Sequence, residues 1–403
     1  MTVRRIAFVT TARSDYNTMY PVMRAASVDP EIDARIFCAG MHLVPAFGNT
    51  WQQLEADGLN IAEKVDFLTD SDRAQDFSEG LGLGVAAFTR ALLRQKPDII
   101  CVSGDRIENL SLFVAATALG IPLAHMCGGD ITEGALDNQI RHVMTKLAHL
   151  HFVSMPEHAR RVIQMGEEPW RVTLTGDAAI DVIVEQPVLS RAALSEKIGL
   201  SGDEPFFLST YHPQTLGEDT AKEQYTLLLD ALADVPERPV MIRPNIDPGF
   251  RVLAEMLEDF RARRPDAVIR TSFDRGDFYG LMAHARFMIG NSSSALWEAP
   301  SFALPAINVG KRQAGRVAGE NVIHITGLDR GELQTALARA RSPDFRGSLQ
   351  GMTNPYGEGK ASELTLECLK KTPLGPALTF KKFHEIEFDP MALGLGLASR
   401  KDT

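Results

Sequence analysis

Residues 99–130 read IICVSGDRIENLSLFVAATALGIPLAHMCGGD. An apolar run, Ile99–Ser103, gives way to a glycine and charged residues. The helical stretch Glu108–Leu119 follows, then a second apolar run, Pro122–Cys127, closed by Gly128 and Gly129. Strand, helix and strand at that spacing predict a β-α-β unit, because parallel strands need a crossover of about a dozen residues or more.

The same alternation runs outward in both directions. Strands are expected at Ile6–Thr10, Ala34–Ala39, Leu150–Ser154 and Val172–Thr175, with helices at Tyr16–Ala26, Gly80–Gln95 and Asp137–Ala148. The second half repeats the pattern, with strands at Phe206–Thr210, Val240–Arg243, Val268–Thr271, Phe287–Ile289, Ala306–Val309 and Val322–Ile325. Its helices are expected at Thr220–Ala233, Phe250–Arg263 and Gly331–Arg341. Alternation of this kind is the signature of α/β architecture with parallel sheets. Between the halves, Glu185–Ser201 is charged and helical, with Gly199 and Gly202-Asp203 breaking it, so the domain boundary is placed there.

Composition narrows the class. At about 150 residues per domain, 403 residues suggest two or three domains. Hydrophobic residues at 44% and charged residues at 23% describe a globular chain. The most apolar stretch, Leu112–Ala124, is interrupted by Thr117, Gly120 and Pro122, short of the roughly 18 apolar residues of a membrane span. Ile6–Val9 is too short for the core of a signal peptide. A net charge of −10 and a pI of about 5.5 argue against nucleic acid or an anionic membrane as partner. Cys38, Cys101, Cys127 and Cys368 are far apart and follow no zinc spacing, as reduced thiols in a cytoplasmic chain would.

In open α/β sheets the ligand sits beyond the carboxyl ends of the strands. The polar stretches there are Thr11–Tyr16, Gly104–Glu108, Gly128–Arg141, Tyr211–Thr215, Pro244–Gly249, Asn291–Glu298 and Gly310–Arg316. Asn291-Ser-Ser-Ser-Ala-Leu-Trp-Glu298 predicts a tight turn opening a helix, whose free N–H groups suit a phosphate, with Glu298 placed to accept from a ribose diol. Taken alone, a serine cluster is more often an ordinary helix cap. Gly310–Arg316 offers two arginines and a lysine to a pyrophosphate or a base edge; alone it would read as a solvated basic loop.

Asp105 and Arg106 end one strand as candidate base and anion clamp, while Asp130, Glu133 and Asp137 crowd three carboxylates within eight residues. Crowding raises carboxyl pKa values and yields the acid and base pairs that sugar chemistry uses. His212 follows the strand Phe206–Thr210, where an imidazole suits a leaving diphosphate. His142, His149 and His151 invite a metal, but they divide between a predicted helix and strand and bring no carboxylate motif, so no metal is expected. Neither GxGxxG nor a P-loop occurs.

Together these segments resemble the UDP-N-acetylglucosamine 2-epimerase family, in its hydrolysing, sialic-acid-type branch. The resemblance runs from about Ile6 to Ser362. It is carried by Thr11-Ala-Arg13-Ser-Asp15-Tyr16, Gly40-Met-His42-Leu, Gly104-Asp-Arg106, His125-Met-Cys-Gly-Gly-Asp130 and Asp137-Asn-Gln-Ile-Arg-His142. Further on come Tyr211-His212-Pro213, Arg243-Pro-Asn-Ile-Asp247, Asn291–Pro300, Gly310–Arg316 and Asn354–Ser362. Any one motif is weak; ten in order are specific.

The resemblance implies two Rossmann-like domains of GT-B type, 1–185 and 202–358, around an interdomain cleft that holds the active site. Residues 359–403 would form a helix returning to the first domain, plus a tail. It implies that UDP-GlcNAc and water give N-acetylmannosamine and UDP, with no cofactor, in a homo-oligomer (dimer or tetramer). Arg13 would reach the uracil side, Arg106 and His212 the phosphates, Asn245 and Phe273 the nucleotide, Ser292 and Ser293 a phosphate, Glu298 the ribose, and Arg312 the rest of the pocket. Asp105 and Asp137 match catalytic acids.

One position departs from the family pattern. Cys127 stands where relatives carry Glu or His, so the acidic role passes to Asp130, assisted by Glu133. The departure opens the substrate to 2,4-diacetamido-2,4,6-trideoxy sugars of the legionaminic-acid route, or to a GDP-linked sugar. A GT-B glycosyltransferase and a non-catalytic nucleotide-sugar sensor are the competing readings.

Overall fold

The computed structural model describes residues 3–45, 48–69, 73–132, 136–212, 221–244, 250–326 and 329–387. Two parallel sheets organise them. The first contains β1 (Arg4–Thr10), β2 (Ile32–Ala39), β3 (Ile61–Val65), β4 (Ile99–Ser103), β5 (Leu123–Met126), β6 (Leu150–Val153) and β7 (Val172–Leu174), in the order β3-β2-β1-β4-β5-β6-β7. The second contains β8 (Phe206–Thr210), β9 (Arg238–Ile242), β10 (Val268–Arg270), β11 (Met288–Gly290), β12 (Ala306–Val309) and β13 (Val322–Ile325), in the order β10-β9-β8-β11-β12-β13. The fold is therefore the expected α/β pair of Rossmann-like sheets. In each, strand order reverses between the first strand and the fourth, which makes β1/β4 and β8/β11 the switch points where a ligand crevice opens.

The strands read as continuous apolar runs because both sheet faces are covered. In β1, Ile6 and Phe8 join one core with Ile99 and Cys101 of β4, while Ala7 and Val9 join the opposite core with Ile100 and Val102. The second sheet does likewise: Phe207, Ile289 and Ile307 pack on one face, Phe206, Leu208 and Met288 on the other. β3 was not expected. It is an edge strand, and Glu63 and Lys64 break the apolar pattern that marks the others. The helix expected over Glu185–Ser201 is shorter, Arg191–Ile198 on a Ser190 cap, and a separate helix, Ala178–Glu185, precedes it and ends before Pro187.

The helix Ala361–Lys371 packs on the first sheet's core through Ala361, Leu366 and Leu369. Asp181 accepts from the Ala361 and Ser362 amides at 3.0 and 2.6 Å and so caps it. The segment beyond carries no legible motif, yet it is fastened. Arg171, 1% exposed, donates to the carbonyls of Ala377, Leu378 and Phe380.

Candidate active site

The turn after β1 is built around Asp15. Its carboxylate accepts from the Thr11 and Ala12 amides, both at 2.9 Å, and from the Thr10 and Thr11 hydroxyls at 2.7 and 2.8 Å. These donors tie the turn to the start of the helix Arg13–Val28. Arg13 and Ser14 thereby project into the cleft from a rigid turn. Asp15 was quoted in a motif but given no role; an Asp three residues into a helix is a capping signal.

Beyond β4 and β5 a cavity of about 230 Å³ gathers Asp105, Arg106, Cys127, Asp130, Asp137 and Arg141 from the first half, and Ser293, Trp297 and Arg316 from the second. Arg141, 2% exposed, organises it. The guanidinium binds the Asp105 carboxylate, the Asp130 carbonyl at 2.8 Å and the Thr132 hydroxyl at 3.1 Å. Sequence reasoning assigned Arg141 nothing. Arg106, expected on the phosphates, lines this cavity and donates to the wholly buried Glu108 at 2.6 Å.

Desolvation, and then the charge of Asp105, raises the Asp137 carboxyl above its ordinary pKa even though its side chain is open to the cavity. Asp130 is 5% exposed; it accepts from the Ile131 amide at 2.8 Å, and Arg316 approaches it to 3.8 Å from across the cleft. Arg316 also reaches the Thr132 hydroxyl at 3.4 Å and stacks over Trp297. The two halves thus meet over the carboxylates.

Cys127 takes the left-handed conformation, φ 65°, which a β-carbon disfavours. Its sulfur lies 3.6 Å from the Ser103 hydroxyl. Burial, and then the charge of Asp177, holds the thiol well above the ordinary range, so it is a neutral wall of the cavity rather than a base.

A second cavity of about 800 Å³ is lined by Arg13, Tyr16, His42, Phe273, Tyr279 and Glu298, among others. Glu298 is its most telling group. One carboxylate oxygen is buried without a hydrogen-bond partner, and desolvation lifts the carboxyl to about 7. An orphaned acceptor facing a cavity suits a ligand donor such as a ribose hydroxyl.

Between the β8 and β11 ends, the Asn291 side chain accepts from the His212 amide at 2.7 Å and donates to its carbonyl at 2.8 Å. Arg312 and Gln313 both donate to the Asn291 carbonyl, at 3.2 and 2.9 Å. Gly290 is required at φ 146°, since a β-carbon there would sit 1.8 Å from the Thr210 carbonyl oxygen. Burial, and then the charge of Arg312, lowers His212 to about 4, leaving a neutral imidazole that offers a hydrogen bond rather than a charge.

The helix expected after Asn291 is a single turn, Ser294–Trp297, broken before Pro300. Its dipole is correspondingly small. Glu133 and Asn245 lie outside the described residues. Of the histidine trio, the His149 ring accepts from the Leu123 amide at 3.2 Å, and His151 pairs with buried Glu167 at 2.9 Å. No three His, Cys, Asp or Glu side chains converge as metal ligands among the described residues.

Two Rossmann-type sheets facing each other across a cleft, with clustered carboxylates beside a nucleotide-sized cavity, define the class of nucleotide-sugar enzymes. Residues 24–370 match the family described as UDP-N-acetylglucosamine 2-epimerase. A Legionella pneumophila protein described as UDP-N,N'-diacetylbacillosamine 2-epimerase (hydrolyzing) is 31% identical, over 92% of this chain and 97% of its own. A Campylobacter jejuni protein described as GDP/UDP-N,N'-diacetylbacillosamine 2-epimerase (hydrolyzing) is 33% identical, over 86% and 90%. Among solved structures, the Neisseria meningitidis UDP-GlcNAc 2-epimerase bound to UDP-GlcNAc superposes with a TM-score of 0.78 at 18% identity, over 91% of this chain and 100% of that one. The chain belongs to the UDP-N-acetylglucosamine 2-epimerase family, in its hydrolysing branch.

Proposed function

We propose that the enzyme takes a UDP- or GDP-linked N,N'-diacetylbacillosamine, a 2,4-diacetamido-2,4,6-trideoxy sugar, and water, and releases the free 2-epimer and the nucleoside diphosphate. The observation that carries the reaction is the carboxylate cluster of Asp105, Asp130 and Asp137 beside a cavity whose Glu298 has an unpartnered acceptor. The substrate rests on the two relatives above 30% identity. UDP-GlcNAc is the second reading, since an Escherichia coli protein described as UDP-N-acetylglucosamine 2-epimerase is 23% identical.

The C2 proton of such a sugar is not acidic, so its removal must accompany departure of the diphosphate from C1. The transition state is oxocarbenium-like, and carboxylates stabilise it. Arg312, neutral His212 and the Ser292 and Ser293 hydroxyls stabilise charge growing on the leaving group. Asp130 takes the C2 proton, Asp105 and Asp137 manage water and the returning proton, and Arg141 fixes Asp105. Arg13 reaches the base, Phe273 and Asn245 the nucleotide, Glu298 the ribose and Arg106 the phosphates, while Glu133 assists Asp130. The chain divides into units 1–185 and 202–358, and 359–403 supplies a helix returning to the first unit plus a tail. Incubation with each nucleotide sugar and no acceptor tests the reading. Free 2-epimer supports it, an epimerised nucleotide sugar indicates the non-hydrolysing reaction, and turnover only with an added acceptor indicates a glycosyltransferase.

Because carboxylates do the proton transfers, EDTA is expected to leave the rate unchanged. Loss on chelation, restored by a divalent ion, would refute proton transfer by side chains alone.

A homo-oligomer is the expected assembly. The helix Asn109–Leu119 has no charged residue and its Val114 is 49% exposed, and the adjoining helix Ala74–Gln95 exposes Leu83 to 65%. An uncharged helix face of this kind suits a second copy of the chain. Val114→Asp with Leu83→Asp should convert the assembly to monomers in sedimentation; an unchanged sedimentation coefficient would place the interface elsewhere.

A further inference from the structure

Epimerisation makes a demand that clustered carboxylates do not meet alone. One proton leaves C2 from one face of the sugar and another arrives on the opposite face. The base that takes the first must dispose of it elsewhere before the next turnover. Asp130 is only 5% exposed, so water does not reach it freely.

One side chain is placed to help. His158, on the helix Pro156–Gln164, brings Nε2 to 3.5 Å from Asp130 Oδ1. The residue is 2% exposed, and neither ring nitrogen has a hydrogen-bond partner. Leaving a buried polar group unpaired is costly, and each such group in a folded protein calls for a reason. The fold also fixes the pair. Gly129, at φ 80°, lets the His158 carbonyl approach so closely that a β-carbon would lie 2.3 Å from its oxygen. Arg161, nearly one turn further on, donates to the Gly129 carbonyl at 3.0 Å. Helix and loop are locked with imidazole facing carboxylate.

We propose that His158 is the proton-sharing partner of Asp130, a positioning residue that accepts at Nε2 the proton Asp130 removes from the sugar. The inference rests on the epimerase reading given above. The C2–H bond breaks and its electrons form the C1–C2 double bond. The C1–O bond breaks, and its pair leaves on the diphosphate. The proton passes from Asp130 to His158, which restores the carboxylate beside an imidazolium. A different acid protonates C2 from the opposite face, water bonds to C1 through its oxygen and gives its proton back to that acid, and the imidazolium returns its own proton through Asp130 to water when product departs.

The surroundings set the balance. Burial acts most strongly against the imidazolium, the charge of Asp130 favours it, Arg161 and Arg141 oppose it, and Glu157 supports it. Arg316 lies near the other Asp130 oxygen at 3.8 Å. The sum lowers the imidazole pKa, so the resting ring is neutral and able to accept.

His158→Gln keeps a polar side chain that cannot be protonated. With the best nucleotide sugar, its kcat is expected to fall roughly tenfold or more, with UDP affinity unchanged. The acid limb of its kcat–pH profile should move to lower pH, because the group that takes the extra proton is gone. A wild-type reporter guards against misfolding of the variant: in protein labelled with nitrogen-15 histidine, one ring's titration should shift between wild type and Asp130→Asn. An active wild type, with kcat and the pH profile unmoved by His158→Gln and no ring responding to Asp130→Asn, would overturn the inference alone. A wild type that binds UDP but turns over no nucleotide sugar would overturn the epimerase reading and this inference with it.

Discussion

Asp130→Asn is expected to lower kcat by at least about two orders of magnitude, the lower end for loss of a general acid or base. Asp105→Asn should lose as much while still binding UDP. Both carboxylates line the small cavity with Arg141, whereas the unpartnered Glu298 acceptor faces the larger one. Cys127→Ser should keep most of its turnover, because a buried thiol held neutral has no proton-transfer role to lose. Steady-state rates of the three variants, with UDP titrations alongside, check the set. The reverse ranking, Cys127→Ser inactive and Asp130→Asn active, would assign the chemistry to sulfur.

The second large effect is on nucleotide binding. Glu298→Ala and Arg312→Ala should each weaken UDP by roughly 1.5–3 kcal/mol, the usual range for hydrogen bonds to a charged group. Glu298 adds a pH signature. Its carboxyl is raised to about 7 in the free protein, so below that pH the acceptor is largely protonated. A ribose diol prefers the carboxylate, so binding pulls the pKa down and releases a proton, and affinity climbs as pH rises through about 7. Calorimetry in buffers of different ionisation enthalpy should show proton release near neutrality in wild type and less in Glu298→Gln. Equal release in both would move the titrating group elsewhere.

What the sequence made legible follows from what each residue touches. Ile99–Ser103 and Phe206–Thr210 are wholly buried, so their apolar runs announced central strands. The edge strand β3 hid behind Glu63 and Lys64, one of them paired with Arg94 at the surface. The turn at Asn291 looked like the start of a full helix because local pattern does not show how soon Pro300 stops it. Asp105, Asp137, Arg13 and Glu298 stood out because they lie in polar stretches after strands, Phe273 only through the family resemblance, and all five line cavities. Asp15, Arg141 and His158 did not stand out, because each works on other protein groups. Asp15 holds a turn, Arg141 clamps Asp105, and His158 faces Asp130 from a helix far along the chain. Such pairings appear only once the chain is folded.

The central claim is that this chain removes the C2 proton, expels the diphosphate from C1 and adds water to the other face. Turnover of UDP-linked N,N'-diacetylbacillosamine in deuterium oxide enriched with oxygen-18, read by mass spectrometry, tests it most directly. The predicted products are a free 2-epimer carrying one solvent deuterium at C2 and a nucleoside diphosphate without oxygen-18, because the C1–O bond is the one that breaks. A released sugar with its original C2 configuration and protium, or oxygen-18 in the diphosphate, would contradict the account.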